Sequence, residues 1–129
     1  LCLGLDEAAV LAQAVQALAA GNAVLAVAPR AQVCLSPLLD KGLPIRAINA
    51  TVDAGDLVQL SVEVVAIAAD GDALRAIRRA LARRSGPIVP LVSEVISPIA
   101  YVHERAVCVD TTAAGGNATL LAAAEPINV

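Results

Sequence analysis

Apolar residues fall along this chain in two alternating rhythms: short unbroken runs, and longer stretches whose larger side chains recur at helical spacing. Leu1 to Leu5 is a short run broken at Gly4, and Asp6 with Glu7 beside it supplies an N-cap and a first-turn acid. From Glu7 to Ala20 the larger apolar residues are Val10, Leu11, Val15 and Leu18, which predict one apolar helix face; Gly21 stops that helix. Ala23 to Ala28, between Asn22 and Pro29, reads as a parallel strand covered on both faces. Ser36-Pro37 opens a short helix to Lys41, Gly42 ends it, and Ile45 to Ile48 is the next strand. Val62 to Ala68 follows as a buried strand and Asp70-Gly71-Asp72 as a turn. Ala73 to Arg84 is then a helix with Leu74, Ile77 and Leu81 inward. Gly86-Pro87 closes that helix before a strand at Ile88 to Val92.

Strands alternating with helices on short connections predict an α/β fold: a doubly wound parallel sheet, half of a Rossmann-like domain, over residues 1–97. Residues 98–129 follow another rule. Ser97-Pro98 breaks the rhythm, Tyr101 to Asp110 reads as one extended arm, and Thr111 to Asn117 is a small, polar, Gly-rich tail.

Composition narrows the function classes. At 129 residues the chain has the size of one domain, able to bury roughly two thirds of its unfolded surface. Its 58% hydrophobic content comes from Ala, Val, Leu and Ile, with one Tyr and no Phe, Trp or Met, which suits close helix-on-sheet packing. The uncharged stretch from Ala8 to Pro29 is interrupted by Gln13, Gln16, Gly21 and Asn22, so it predicts helix then strand rather than a membrane span. No basic leader precedes an apolar segment, so no secretory signal is expected, and the chain starts like a segment of something longer. Cys2, Cys34 and Cys108 are odd in number and sit among apolar neighbours. They read as reduced thiols rather than a disulfide frame or metal site, with the cytoplasm as the expected compartment. A net charge of −3 without stacking aromatics argues against nucleic acid as a partner.

Candidate motifs are few. Gly4 follows the first strand, but Asp6 to Ala20 contains no further glycine, so the dinucleotide fingerprint is absent. Arg75, Arg78, Arg79, Arg83 and Arg84 form a basic stripe that could bind an anion, yet cations crowd helix ends for the dipole alone, and a solvated face is the stronger reading. His103, Glu104, Arg105 and Cys108 could be imagined as acid, base, anion clamp and nucleophile, but alternation along a strand sends neighbours to opposite faces. The sequons Asn49-Ala50-Thr51 and Asn117-Ala118-Thr119 matter only in a secreted protein. No catalytic, cofactor-binding or metal-ligating residue is therefore expected. The least ordinary stretch is Thr111 to Asn117, whose Gly115-Gly116 pair allows close backbone approach to another surface.

Two separated parts of the chain carry resemblances, one within residues 17–84 and one over residues 104–121. Ala17 to Leu25 resembles the strand-helix segment of aldehyde dehydrogenases leading to their cofactor-binding lysine, and Gly42-Leu43-Pro44 with Val64 to Arg84 resembles that superfamily's later turn, strand, loop and helix. Where the superfamily has Lys-Pro and an acidic ribose ligand, this chain has Val27-Ala28-Pro29-Arg30-Ala31. Its glycine-bearing loop is replaced by Ala68-Ala69-Asp70-Gly71-Asp72, with two carboxylates where phosphates would lie. More specifically, Glu104 to Leu121 closely resembles the terminal motif of the proline utilisation A family, bacterial bifunctional proline dehydrogenases and glutamate-semialdehyde dehydrogenases. The resemblance implies a degenerate aldehyde-dehydrogenase-like domain without chemistry of its own. Such a domain packs on the semialdehyde dehydrogenase domain of the parent and helps close the tunnel that carries the intermediate. FAD and NAD would belong to the parent, for which a place peripheral to the membrane stays open. Arg105, Asp110, Thr111, Thr112, Gly115, Gly116 and Asn117 would be the interface residues. The rival readings are a stand-alone NAD(P)-binding module and a self-associating domain.

Overall fold

The computed structural model describes residues 1–94 and 97–102. Five strands, β1 (Cys2–Leu3), β2 (Val24–Ala28), β3 (Ile45–Asn49), β4 (Val65–Ile67) and β5 (Leu91–Val92), form one all-parallel sheet in the order β3-β2-β1-β4-β5. The chain steps outward from β1 to β3, then crosses back over the sheet to start the second wing at β4. Helices α1 (Glu7–Ala19), α2 (Ala31–Cys34) and α3 (Ser36–Leu39) belong to the first wing and α4 (Gly71–Ala82) to the second. Strands on both sides of β1 make this more than the half-domain expected from sequence.

Period-two alternation sorts the strand residues onto two cores. Cys2, Val24, Ala26, Ala28, Ala66 and Val92 pack with α1 and α2 on one face. Leu3, Val27 and Val65 pack with Leu57, Ile77 and Ala80 on the other, where α4 and the 3-10 turn Asp56–Val58 lie.

Helix α1 keeps Val10 and Leu18 of the expected face on the core but not Leu11 and Val15. Val10, Gln13, Ala14 and Ala17 are buried, whereas Leu11 and Val15 are exposed. Alanines at the contact let the helix axis approach the sheet closely, and that gain overrides the burial of two branched side chains. The single helix expected over Ser36 to Lys41 is instead the pair α2 and α3. Pro37 has no N–H for the Val33 carbonyl, and Ser36 Oγ donates to that oxygen at 3.0 Å. Ser36 is therefore a bridge between two helical turns rather than an N-cap.

Helix α4 starts earlier than expected, because Asp70 Oδ1 accepts from Ala73 N at 2.9 Å and draws Gly71 and Asp72 into the first turn. Strands β4 and β5 are shorter than their apolar runs. Leu1 donates through its N to Val64 O at 2.8 Å and accepts from Ala66 N at 2.8 Å, and the register with β1 pairs only Ala66 and Ile67. Ile88 is 92% exposed, since Pro87 and Pro90 interrupt the N–H series that a longer β5 would need.

Of the expected arm, Tyr101 closes a 3-10 turn, Pro98–Tyr101, instead of opening a strand, and packs into the α1 core; Val102 is extended. His103 to Val129 lie outside the described residues, and with them the rest of the arm and the tail.

Candidate functional site

In a doubly wound sheet the strand order reverses between β1 and its neighbour on the second wing, and the crevice beyond their carboxyl ends is where ligands sit. Here that point lies between β1 and β4. Gly4 leaves β1 with φ +143°, a backbone that side chains rarely adopt; a Cβ there would stand 3.6 Å from Ala68 O and 3.6 Å from Val10 Cγ2. α1 follows β1 and α4 follows β4, so in this parallel sheet both helices start at the carboxyl end of the strands, beside the crevice. Each is capped by a carboxylate: Asp6 Oδ1 accepts from Ala8 N at 2.9 Å, and Asp70 Oδ1 accepts from Ala73 N at 2.9 Å. Glu7 and Asp72 add two further carboxylates. Arg30, just past β2, pairs with Glu7 at 3.0 Å, and Arg75 pairs with Asp72. The crevice is thus ringed by acids whose cationic partners are already engaged.

A cavity of about 390 Å³ lies at the opposite, amino-terminal end of the sheet, bordered by Cys2, Asn22, Val24, Glu63 and Tyr101. Asn22 Nδ2 fastens this end by donating to Ala17 O at 3.1 Å and Tyr101 O at 3.0 Å. Tyr101 is 2% exposed and its hydroxyl has no partner among the described residues. Burial, with the nearby Cys2 thiol adding to it, pushes its pKa up to about 12. Burial likewise raises the pKa of Cys2, and that of Cys34, whose Sγ donates to Glu7 O at 3.1 Å. Neither thiol is poised as a nucleophile, because both environments disfavour the thiolate. Gln13 is fully buried, and neither amide atom has a partner among the described residues. Sequence reasoning missed this residue; the only signal was a glutamine within an alanine-rich helical stripe.

The seven residues singled out from sequence, Arg105, Asp110, Thr111, Thr112, Gly115, Gly116 and Asn117, lie outside the described residues, as do His103, Glu104 and Cys108. Of the basic stripe, Arg75, Arg78, Arg79 and Arg83 are exposed, whereas Arg84 turns inward and its Nη1 donates to Leu57 O. Among the described residues no three His, Cys, Asp or Glu side chains gather as metal ligands, and no helix is long and apolar enough to cross a membrane.

The fold defines the class: a small α/β domain with a parallel, doubly wound sheet of Rossmann-like topology. Beyond that class, no family model matches the chain, and neither the curated proteins nor the solved structures compared with it give a match.

Proposed function

We propose that this chain is a noncatalytic, aldehyde-dehydrogenase-like domain of a bifunctional proline-catabolising enzyme of the proline utilisation A type. It packs on the semialdehyde dehydrogenase domain and helps close the tunnel between the two active sites. The observation that carries the reading is the crevice between β1 and β4. The two helix termini that would cradle a pyrophosphate are occupied by Asp6 and Asp70, and a phosphate there would meet like charge. A Rossmann-like scaffold whose anion cradle is filled by its own carboxylates suits a domain kept for its surfaces. The resemblance of Glu104 to Leu121 to the family's terminal motif supplies the partner, with Arg105, Asp110, Thr111, Thr112, Gly115, Gly116 and Asn117 as contacts. An extended segment ending in paired glycines can seal a groove through main-chain hydrogen bonds.

The test is coupled proline-to-glutamate turnover by the parent enzyme with and without residues 111–121, following NADH and released semialdehyde together. Loss of coupling with flavin reduction intact is the expected result; unchanged coupling removes the tunnel-closing role.

The second reading is a stand-alone NAD(P)-binding module. Arg30 favours it, since a cation just past β2 is where a 2′-phosphate is received, but its guanidinium is already held by Glu7.

A further inference from the structure

We infer that the outer side of β5, together with the groove between it and the second half of α4, is a docking site for an extended segment of another protein in which acidic and aliphatic residues alternate. The groove encloses about 400 Å³ between Leu81, Val89 and Leu91, with Ile88 standing exposed at its edge. Two guanidinium groups complete its wall. Arg84 donates through Nη1 to Leu57 O, while its Nε is buried and finds no acceptor among the described residues. Arg78 is exposed, and the ion pairs among the described residues are Arg30 with Glu7 and Arg75 with Asp72. An aliphatic wall carrying two guanidinium groups that find no carboxylate partner among the described residues calls for a ligand both apolar and anionic.

The backbone supplies the direction. Val65 N donates to Pro90 O at 3.0 Å, so in a parallel ladder Val92 also turns its polar groups to β4 while those of Leu91 point outward. Among the described residues no strand lies beyond β5. A second hollow of about 270 Å³ runs along the same edge on the other face of the sheet, between Val92, Glu94 and Ala100. Side chains of an added strand alternate between these two hollows. Those turned toward α4 meet Arg78 and Arg84 and are the acidic set. Those on the opposite face meet Val92 and Ala100 and are the aliphatic set, because Glu94 repels a carboxylate there. An anionic membrane would need a broad basic surface, and the chain carries a net charge of −3. This inference stands independently of the proline-catabolic reading.

The probe is a labelled, capped peptide alternating glutamate and valine, titrated into the full chain and followed by fluorescence anisotropy. Saturable binding is expected, weakening as salt rises and falling roughly tenfold or more in Arg78→Glu. Arg83→Glu makes the same change in net charge at an exposed residue that does not line the groove, and is expected to bind like the unaltered chain. A peptide with glutamine for glutamate is expected to bind at least about tenfold more weakly. The proposal fails if no saturable binding is seen, if Arg78→Glu and Arg83→Glu lose affinity equally, or if the neutral peptide binds as well. Tighter binding to phosphatidylserine vesicles than to the acidic peptide would also overturn it in favour of a membrane surface.

Discussion

Tyr101 and Gln13 carry the unbalanced chemistry of the α1 face, and each makes a prediction that no apolar residue there could make. Tyr101 is the single tyrosine of the chain, so tyrosinate absorbance reports its hydroxyl alone. Its pKa is raised from 10 to about 12, chiefly by burial. An acid whose folded pKa lies above its unfolded one favours folding while both states are protonated. That contribution is lost as the unfolded state ionises first, so stability is expected to fall as pH rises from about 10 toward 12. In Tyr101→Phe the alkaline loss should shrink, with little cost at neutral pH because the deleted hydroxyl has no partner among the described residues. Thermal melts across that range check both statements, and an unchanged alkaline slope in the variant would refute them. For Gln13→Leu the argument concerns desolvation. A buried amide with neither atom paired among the described residues costs roughly 1–3 kcal/mol, so an apolar side chain of comparable volume should raise the denaturation midpoint. A lowered midpoint would mean that the amide holds a partner or an internal water.

The elements were legible where punctuation and pairing agree. β2 and β3 begin and end within a residue of their apolar runs, because Asn22 and Pro29 bound the first and Pro44 precedes the second, and the two pair along their full length. β4 and β5 were overestimated for a different reason: an apolar run shows what can be buried, whereas strand length depends on a neighbour, and that neighbour is non-local. The inward face of α1 was read half correctly: Val10 and Leu18 pack on the core, but Leu11 and Val15 do not, because large side chains were counted and small ones were not, although Ala14 and Ala17 make the contact. α2 was missed because a four-residue helix spans barely one turn and leaves no periodicity to read. The start of α4 illustrates competing local chemistries. Asp70-Gly71-Asp72 has turn composition, yet the Asp70 carboxylate is best used as a cap. Asp70→Ala should therefore destabilise the chain by about 1 kcal/mol, while Asp70→Asn should retain most of the cap. Chemical denaturation of the two variants separates them, and equal losses would point to charge rather than to the hydrogen bond.

At the scale of the molecule, the alternation of strand and helix announced a doubly wound sheet but not its order, because placing β4 beside β1 depends on contacts across more than sixty residues. What that order creates is the crevice between β1 and β4, and the function of the chain turns on whether it can hold a nucleotide. From sequence, the missing fingerprint glycines and the acidic loop at Asp70 already spoke against it. The fold adds that Asp6, more than sixty residues before that loop, stands at the same crevice, which no local motif could reveal. A ligand that binds only the folded state stabilises it by about 2.7 kcal/mol at a hundredfold excess over its Kd, which for a domain of this size is a shift of several degrees. With carboxylates on both helix caps and Arg30 held by Glu7, NAD⁺ and NADP⁺ at millimolar concentration are expected to leave the melting temperature unchanged. A saturable shift with either dinucleotide would show that the crevice accepts phosphate despite its charge. It would displace the noncatalytic reading, and a larger effect from NADP⁺ would further show that Arg30 exchanges Glu7 for the 2′-phosphate.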